Sequence, residues 1–217
     1  MNGKLFAAIP LMLISTAGAQ SIAGLWDATI KINGVETPFK FELSGGGANV
    51  TGSFFNGFEK FSSTKGRFDN GTLVLNWDYY ASKLEATLKD GVLEGQYAGT
   101  RRMKGPFAIR ARKADAIGLV PGDAPDIHGL WEIPNNSGKG EKAWRFIVQQ
   151  TRGTVSAAIL RVDGDTGAIT GAYRNGKFVI SHFDGARAHL MEITLTKDDT
   201  LDILQDGSIK LVIGGVR

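Results

Sequence analysis

His182 and His189 are the residues of this chain best placed to do chemistry. They bracket the short segment Phe183–Ala188, which also carries Asp184 and Arg187. Along Phe178, Ile180, His182 and again along His189, Met191, Ile193, both imidazoles fall in phase with the apolar side chains. They can therefore face each other across the end of a hairpin. Imidazole, carboxylate and guanidinium gathered in one place could bind an anion, a metal ion or a partner carboxylate. A hairpin-end histidine bonded to nearby backbone is the plainer reading of the same pattern. His182, Asp184, Arg187 and His189 thus form a candidate binding cluster. The pattern assigns no catalytic residue and calls for neither a metal nor a cofactor.

Other chemistry is narrower still. The 217 residues include no cysteine, which removes disulfides, thiolate nucleophiles and thiolate metal sites from this chain. Asp163-Gly164-Asp165-Thr166-Gly167 resembles a calcium loop only superficially. The ligand pattern of such loops fails at Gly167 and at Arg174, so a turn between strands is expected. Arg101-Arg102-Met103-Lys104 and Arg110-Ala111-Arg112-Lys113 are the dense basic clusters, but the net charge is only +3. A solvated face is expected there, and no nucleic-acid partner. Nucleophile elbows, phosphate-binding glycine loops and His-Glu-x-x-His are absent from the sequence.

The elements that must position the cluster come from a duplication. Gly24-Leu25-Trp26 recurs as Gly129-Leu130-Trp131, and Phe39-Lys40-Phe41 as Trp144-Arg145-Phe146. Gly66–Gly71 meets Gly171–Gly176 at the same shift, and Glu85-Ala86-Thr87-Leu88 meets Glu192-Ile193-Thr194-Leu195 two positions later. The first copy has Trp77 and Ser82 in place of His182 and His189, so the cluster belongs to the second copy alone. Within each copy the apolar period is two, as in Phe39/Phe41/Leu43 and Leu73/Leu75/Trp77. Asn33-Gly34, Asn56-Gly57, Asn70-Gly71 and Asp90-Gly91 separate these runs as hairpin turns, and they draw on the 29 glycines of the chain.

The expected fold is all-β, with two tandem antiparallel meanders of about eight strands each. Meanders of this length can close into barrel-like units; paired sandwiches or one merged sheet are the alternatives. In the first copy, one strand is expected at about 60–67. Residues 1–19, with Lys4 before an apolar run and Ala17-Gly18-Ala19 after it, read as a signal peptide. The repeats are then 20–113 and 126–217, joined by a linker at 114–125 containing Gly118, Pro121, Gly122 and Pro125. A secreted or periplasmic protein with no membrane span after signal removal is expected.

The order of motifs carries a resemblance. Gly24-Leu25-Trp26, Pro38-Phe39, Gly52-Ser53-Phe54-Phe55-Asn56-Gly57, Ser63-Thr64-Lys65-Gly66, Ala143-Trp144-Arg145, Leu160–Gly167 and Ser181-His182-Phe183-Asp184-Gly185-Ala186-Arg187 are its strings. Together they resemble the N-terminal β-rich region of exported bacterial TlpA-type thioredoxin-like disulfide oxidoreductases. The resemblance implies a non-catalytic module that binds or positions something for a thioredoxin-like domain or protein. The Cys-x-x-Cys pair of the family's redox domain has no counterpart here, so no catalytic residue carries over. The alternative is a lipocalin-like carrier of a small hydrophobic ligand, with Trp77 and Trp144 as the cavity candidates. A third reading is an enzyme built around His182, Asp184 and His189.

Overall fold

The computed structural model describes residues 21–99, 103–114, 123–135 and 137–216. Residues 1–19, expected to be a signal peptide, most of the expected linker 114–125 and the Arg101-Arg102 pair lie outside the described residues. The first copy supplies β1 (Gly24–Ile32), β2 (Val35–Gly46), β3 (Asn49–Asn56), β4 (Glu59–Ser62), β5 (Lys65–Asp69), β6 (Thr72–Trp77), β7 (Ser82–Lys89), β8 (Val92–Ala98) and β9 (Phe107–Lys113). The second supplies β10 (Gly129–Pro134), β11 (Ala143–Thr151), β12 (Thr154–Arg161), β13 (Gly164–Asp165), β14 (Ile169–Arg174), β15 (Lys177–Phe183), β16 (Ala188–Leu195), β17 (Thr200–Gln205) and β18 (Ile209–Val216).

Most hairpins form where the turn chemistry places them. The turn expected at Asn56-Gly57 falls one residue later, at Gly57-Phe58, because Asn56 stays in β3 opposite Glu59. Asn33-Gly34, Asn70-Gly71, Asp90-Gly91 and Asn175-Gly176 all take positive φ at both positions. That geometry matches the twist of the flanking strands and suits asparagine, aspartate and glycine. The strands next to them pair in tight register, as in Ile32↔Val35 and Asp69↔Thr72. Alternation then sorts the faces: Phe39, Phe41 and Leu43 go inward while Lys40 and Glu42 go out.

The strand expected at 60–67 is in fact two, β4 and β5. Ser63 N–H donates to Gly52 C=O on β3 (2.8 Å), while Thr64 N–H donates to Asn76 C=O on β6 (2.8 Å). The backbone changes partner between these two residues, which ends one ladder and begins the next.

Duplication is visible in the packing as well as in the sequence. Trp26 donates its indole N–H to Ile22 C=O and Trp131 donates to Ile127 C=O, both at 3.0 Å. Each tryptophan is sealed in its own apolar core. β9 pairs back onto β1, and β18 onto β10.

The sequence favoured two separate barrel-like units, and this is corrected to its merged-sheet alternative. All the strands join one antiparallel sheet, because β15 runs on past the second core and meets β3 at Phe183↔Phe55. Its last residues are buried on both faces, Ile180 through Phe183 without a break. Phe178 and Ile180 point into the second core, while Phe183 packs in the first. The copies dock head to tail. The outer side of β15 meets β2 through the Ser181 hydroxyl, which donates to Pro38 C=O. Ala168 N–H donates to the Asn56 side-chain oxygen beside this contact (2.7 Å).

Candidate functional site

The β15–β16 hairpin places His182 opposite His189 in direct cross-strand register. Its turn, Asp184–Arg187, is held from within. Asp184 Oδ1 accepts the backbone N–H groups of Ala186 and Arg187, both at 2.8 Å. Oδ2 accepts from the Arg187 guanidinium at 3.2 Å, and His182 Nε2 stands 3.3 Å from the same oxygen. That approach is off-line for a hydrogen bond. The other imidazole nitrogen, Nδ1, donates to Ala168 C=O at 2.9 Å.

Burial decides what these groups can do. The side chains of His182 and Asp184 are 0% and 3% exposed, whereas Arg187 is 41% and His189 28% exposed. Desolvation works to raise the Asp184 carboxyl. The adjoining His182 and the two turn N–H groups outweigh it and hold the carboxyl well below the usual range. Desolvation pushes the His189 imidazole down, opposed by Asp206 at 3.6 Å. The structure therefore brings His182, Asp184 and Arg187 together. It leaves His189 alongside, turned toward Asp206.

The cluster seals the junction of the copies. Gly185 sits at φ +91° against the Phe54 ring, where an added Cβ would lie 2.9 Å from the nearest ring carbon. The Tyr97 hydroxyl donates to Gly185 C=O at 2.6 Å and shares a hydrogen bond with Ser82 at 2.8 Å. Desolvation pushes the Tyr97 phenol up, which keeps it a donor. Ser82 is the first-copy counterpart of His189. The sequence does not mark Tyr97, and marks Asn56 for its turn and not for this contact, since their partners lie 88 and 112 residues away. The one sequence signal for this junction is Phe183, an aromatic three residues after Ile180 and so out of phase with the apolar side of its strand.

The two tryptophans proposed as cavity walls lie in different copies. Trp77 is fully buried and stacks on Phe54 at 4.6 Å, its indole N–H donating to Phe61 C=O. Trp144 is half-buried and donates to Glu141, with the Arg161 guanidinium 5.1 Å above its ring. A cleft of about 380 Å³ opens at the junction, lined by Asn56, Ile147, Ala158 and Ala168 among others, and by neither tryptophan. Among the described residues, no three His, Asp or Glu side chains are grouped to hold a metal ion, and no helix is long and apolar enough to cross a membrane.

The pKa directions give a pH dependence. For both groups the unfolded chain binds the proton more readily than the folded one, so acid destabilises. His189 acts first, as pH drops through about 6.5, the free imidazole value. The Asp184 contribution is complete above about pH 4 and is lost progressively below it. Thermal unfolding from pH 8 to 3 is expected to show both legs. His189→Gln should flatten the upper one, and a slope unchanged by that substitution would refute the assignment.

The chain matches no protein-family model, no curated protein and no solved structure.

Proposed function

We propose that this chain is a non-catalytic extracytoplasmic β-module that binds or positions a partner for thiol-disulfide chemistry, the partner being a thioredoxin-like domain or protein. One observation carries the non-catalytic part. The only cluster with acid–base potential singled out from the sequence is sealed at the junction, with His182 and Asp184 almost wholly buried. Its polar groups are engaged within the second copy, His182 on Ala168 C=O and Asp184 on the N–H groups of its own turn. Disulfide exchange needs a thiolate, and the chain has no cysteine to provide one. The thioredoxin-like partner rests on the resemblance of the motif order to TlpA-type proteins, and the extracytoplasmic site on the leader-like residues 1–19.

The test mixes the purified chain with the thioredoxin-like protein encoded nearest its gene. A stable complex by analytical ultracentrifugation is expected, with no reduction of insulin disulfides by the chain alone. Reduction by the chain alone would overturn the non-catalytic reading, and absence of a complex would overturn the partner. A saturable change of tryptophan fluorescence on adding a fatty acid would instead favour the lipocalin-like carrier. Trp77 is packed against Phe54 and Tyr97 with no exposed surface, and Trp144 does not line the junction cleft, so no such change is expected.

A further inference from the structure

A second cleft, of about 400 Å³, lies on the outer face of β5, β6 and β7 in the first copy, away from the junction. Lys65, Asn76 and Lys83 stand in one cross-strand row, and Arg67, Val74 and Glu85 in the next. Neighbouring strands are about 4.8 Å apart, so the two lysines flank the Asn76 amide and Arg67 follows two positions along β5. All four line the cleft. Val74 forms its floor. It points away from the core, between the inward Leu73 and Leu75, yet is only 8% exposed. Ala48, in the turn from β2 to β3, lines the same cleft. An apolar floor under a cationic rim results.

The second copy provides an internal comparison. Its equivalent row is Thr170, Ser181 and Leu190, in the same register, and there Ser181 bonds the first copy. The cationic row is thus no requirement of the fold. It stands on the face that the head-to-tail arrangement leaves uncovered. Lys65 pairs with Asp78 at 3.3 Å and Lys83 with Glu85 at 2.5 Å, and both pairs are largely exposed. Such pairs contribute little and give way readily to a competing anion.

We infer that this cleft binds a small organic anion, with a carboxylate or phosphate head among Lys65, Arg67 and Lys83 and a short apolar body on Val74. Arg67 supplies the planar fork that grips such heads through two hydrogen bonds. The cleft volume is that of a small-molecule site.

The test is a nuclear magnetic resonance titration of the whole labelled chain with phenyl phosphate, inorganic phosphate and benzyl alcohol. Phenyl phosphate should give saturable shifts at Lys65–Arg67, Val74–Asn76 and Lys83 and none at Thr170 or Leu190. Inorganic phosphate should bind the same amides more weakly, and benzyl alcohol should leave them unmoved. Arg67→Ala with Lys83→Ala should weaken phenyl phosphate by about tenfold or more, the loss expected of charge-assisted hydrogen bonds. No saturable shifts in the parent chain, equal binding of benzyl alcohol, or unchanged affinity in a folded double variant would each overturn the inference.

Discussion

Asp184→Ala should lower the stability of the folded chain by about 3–5 kcal/mol, within the range for leaving two turn N–H groups without their acceptor at about 1–3 kcal/mol each. The carboxylate is nearly inaccessible, and it accepts two backbone N–H groups and the Arg187 guanidinium. Alanine leaves the Ala186 and Arg187 N–H groups without that acceptor in a turn packed against Phe54 and Tyr97. At about 2–4 °C per kcal/mol for a chain of this size, the unfolding midpoint should fall by roughly 6–20 °C. Asp184→Asn keeps the shape and one acceptor oxygen, so it should cost less and should also abolish the part of the acid leg below about pH 4. Urea unfolding at pH 7 of both variants checks this. An Asp184→Ala chain within about 0.5 kcal/mol of the parent, the ordinary range for neutral surface changes, would show that the turn holds itself without the carboxylate.

Much of this arrangement was legible in local sequence. The repeat pairs Trp26 with Trp131, and the structure gives both the same hydrogen bond four residues back. Period-two alternation put His182 on the side of Phe178 and Ile180, where it lies. The Asn-Gly and Asp-Gly pairs set hairpin register because few other residues tolerate two successive positive φ values. Local pattern could not show what covers a face. It marks Phe183 as out of phase with Ile180, but the first-copy core that receives it, around Phe39 and Phe54, lies more than 120 residues earlier. The split at Ser63-Thr64 is hidden for a similar reason. Both residues suit an extended strand, and only the positions of Gly52 and Asn76 decide which ladder each joins.

The same geometry makes Phe183 the side chain whose removal should most affect the union of the copies. It belongs to β15 of the second copy but is 2% exposed within the first core. Its ring centroid lies 4.7 Å from Phe39, 4.9 Å from Phe54 and 5.6 Å from Tyr97. Phe183→Ala removes those contacts and leaves a cavity that the rigid sheet around it cannot close, so a loss of about 3–5 kcal/mol is expected. Phe178→Ala provides the comparison, since that side chain is equally buried on the same strand but in the second core. Both single variants should be destabilised by similar amounts, yet they should differ in their coupling to Phe54. A double-mutant cycle of Phe183→Ala with Phe54→Ala should give an interaction of about 0.5–1.5 kcal/mol, as for aromatic pairs in contact. The cycle of Phe178→Ala with Phe54→Ala should be additive to within about 0.5 kcal/mol. Hydrogen exchange separates the two further. Phe183→Ala should lower protection at Leu73 and Leu75, which share the first core with it, while Phe178→Ala should first weaken Ile193 and Ile203 in the second. If both cycles were additive, Phe183 would only fill space at the junction, and the two units would hold together through Ser181 and Asn56 instead.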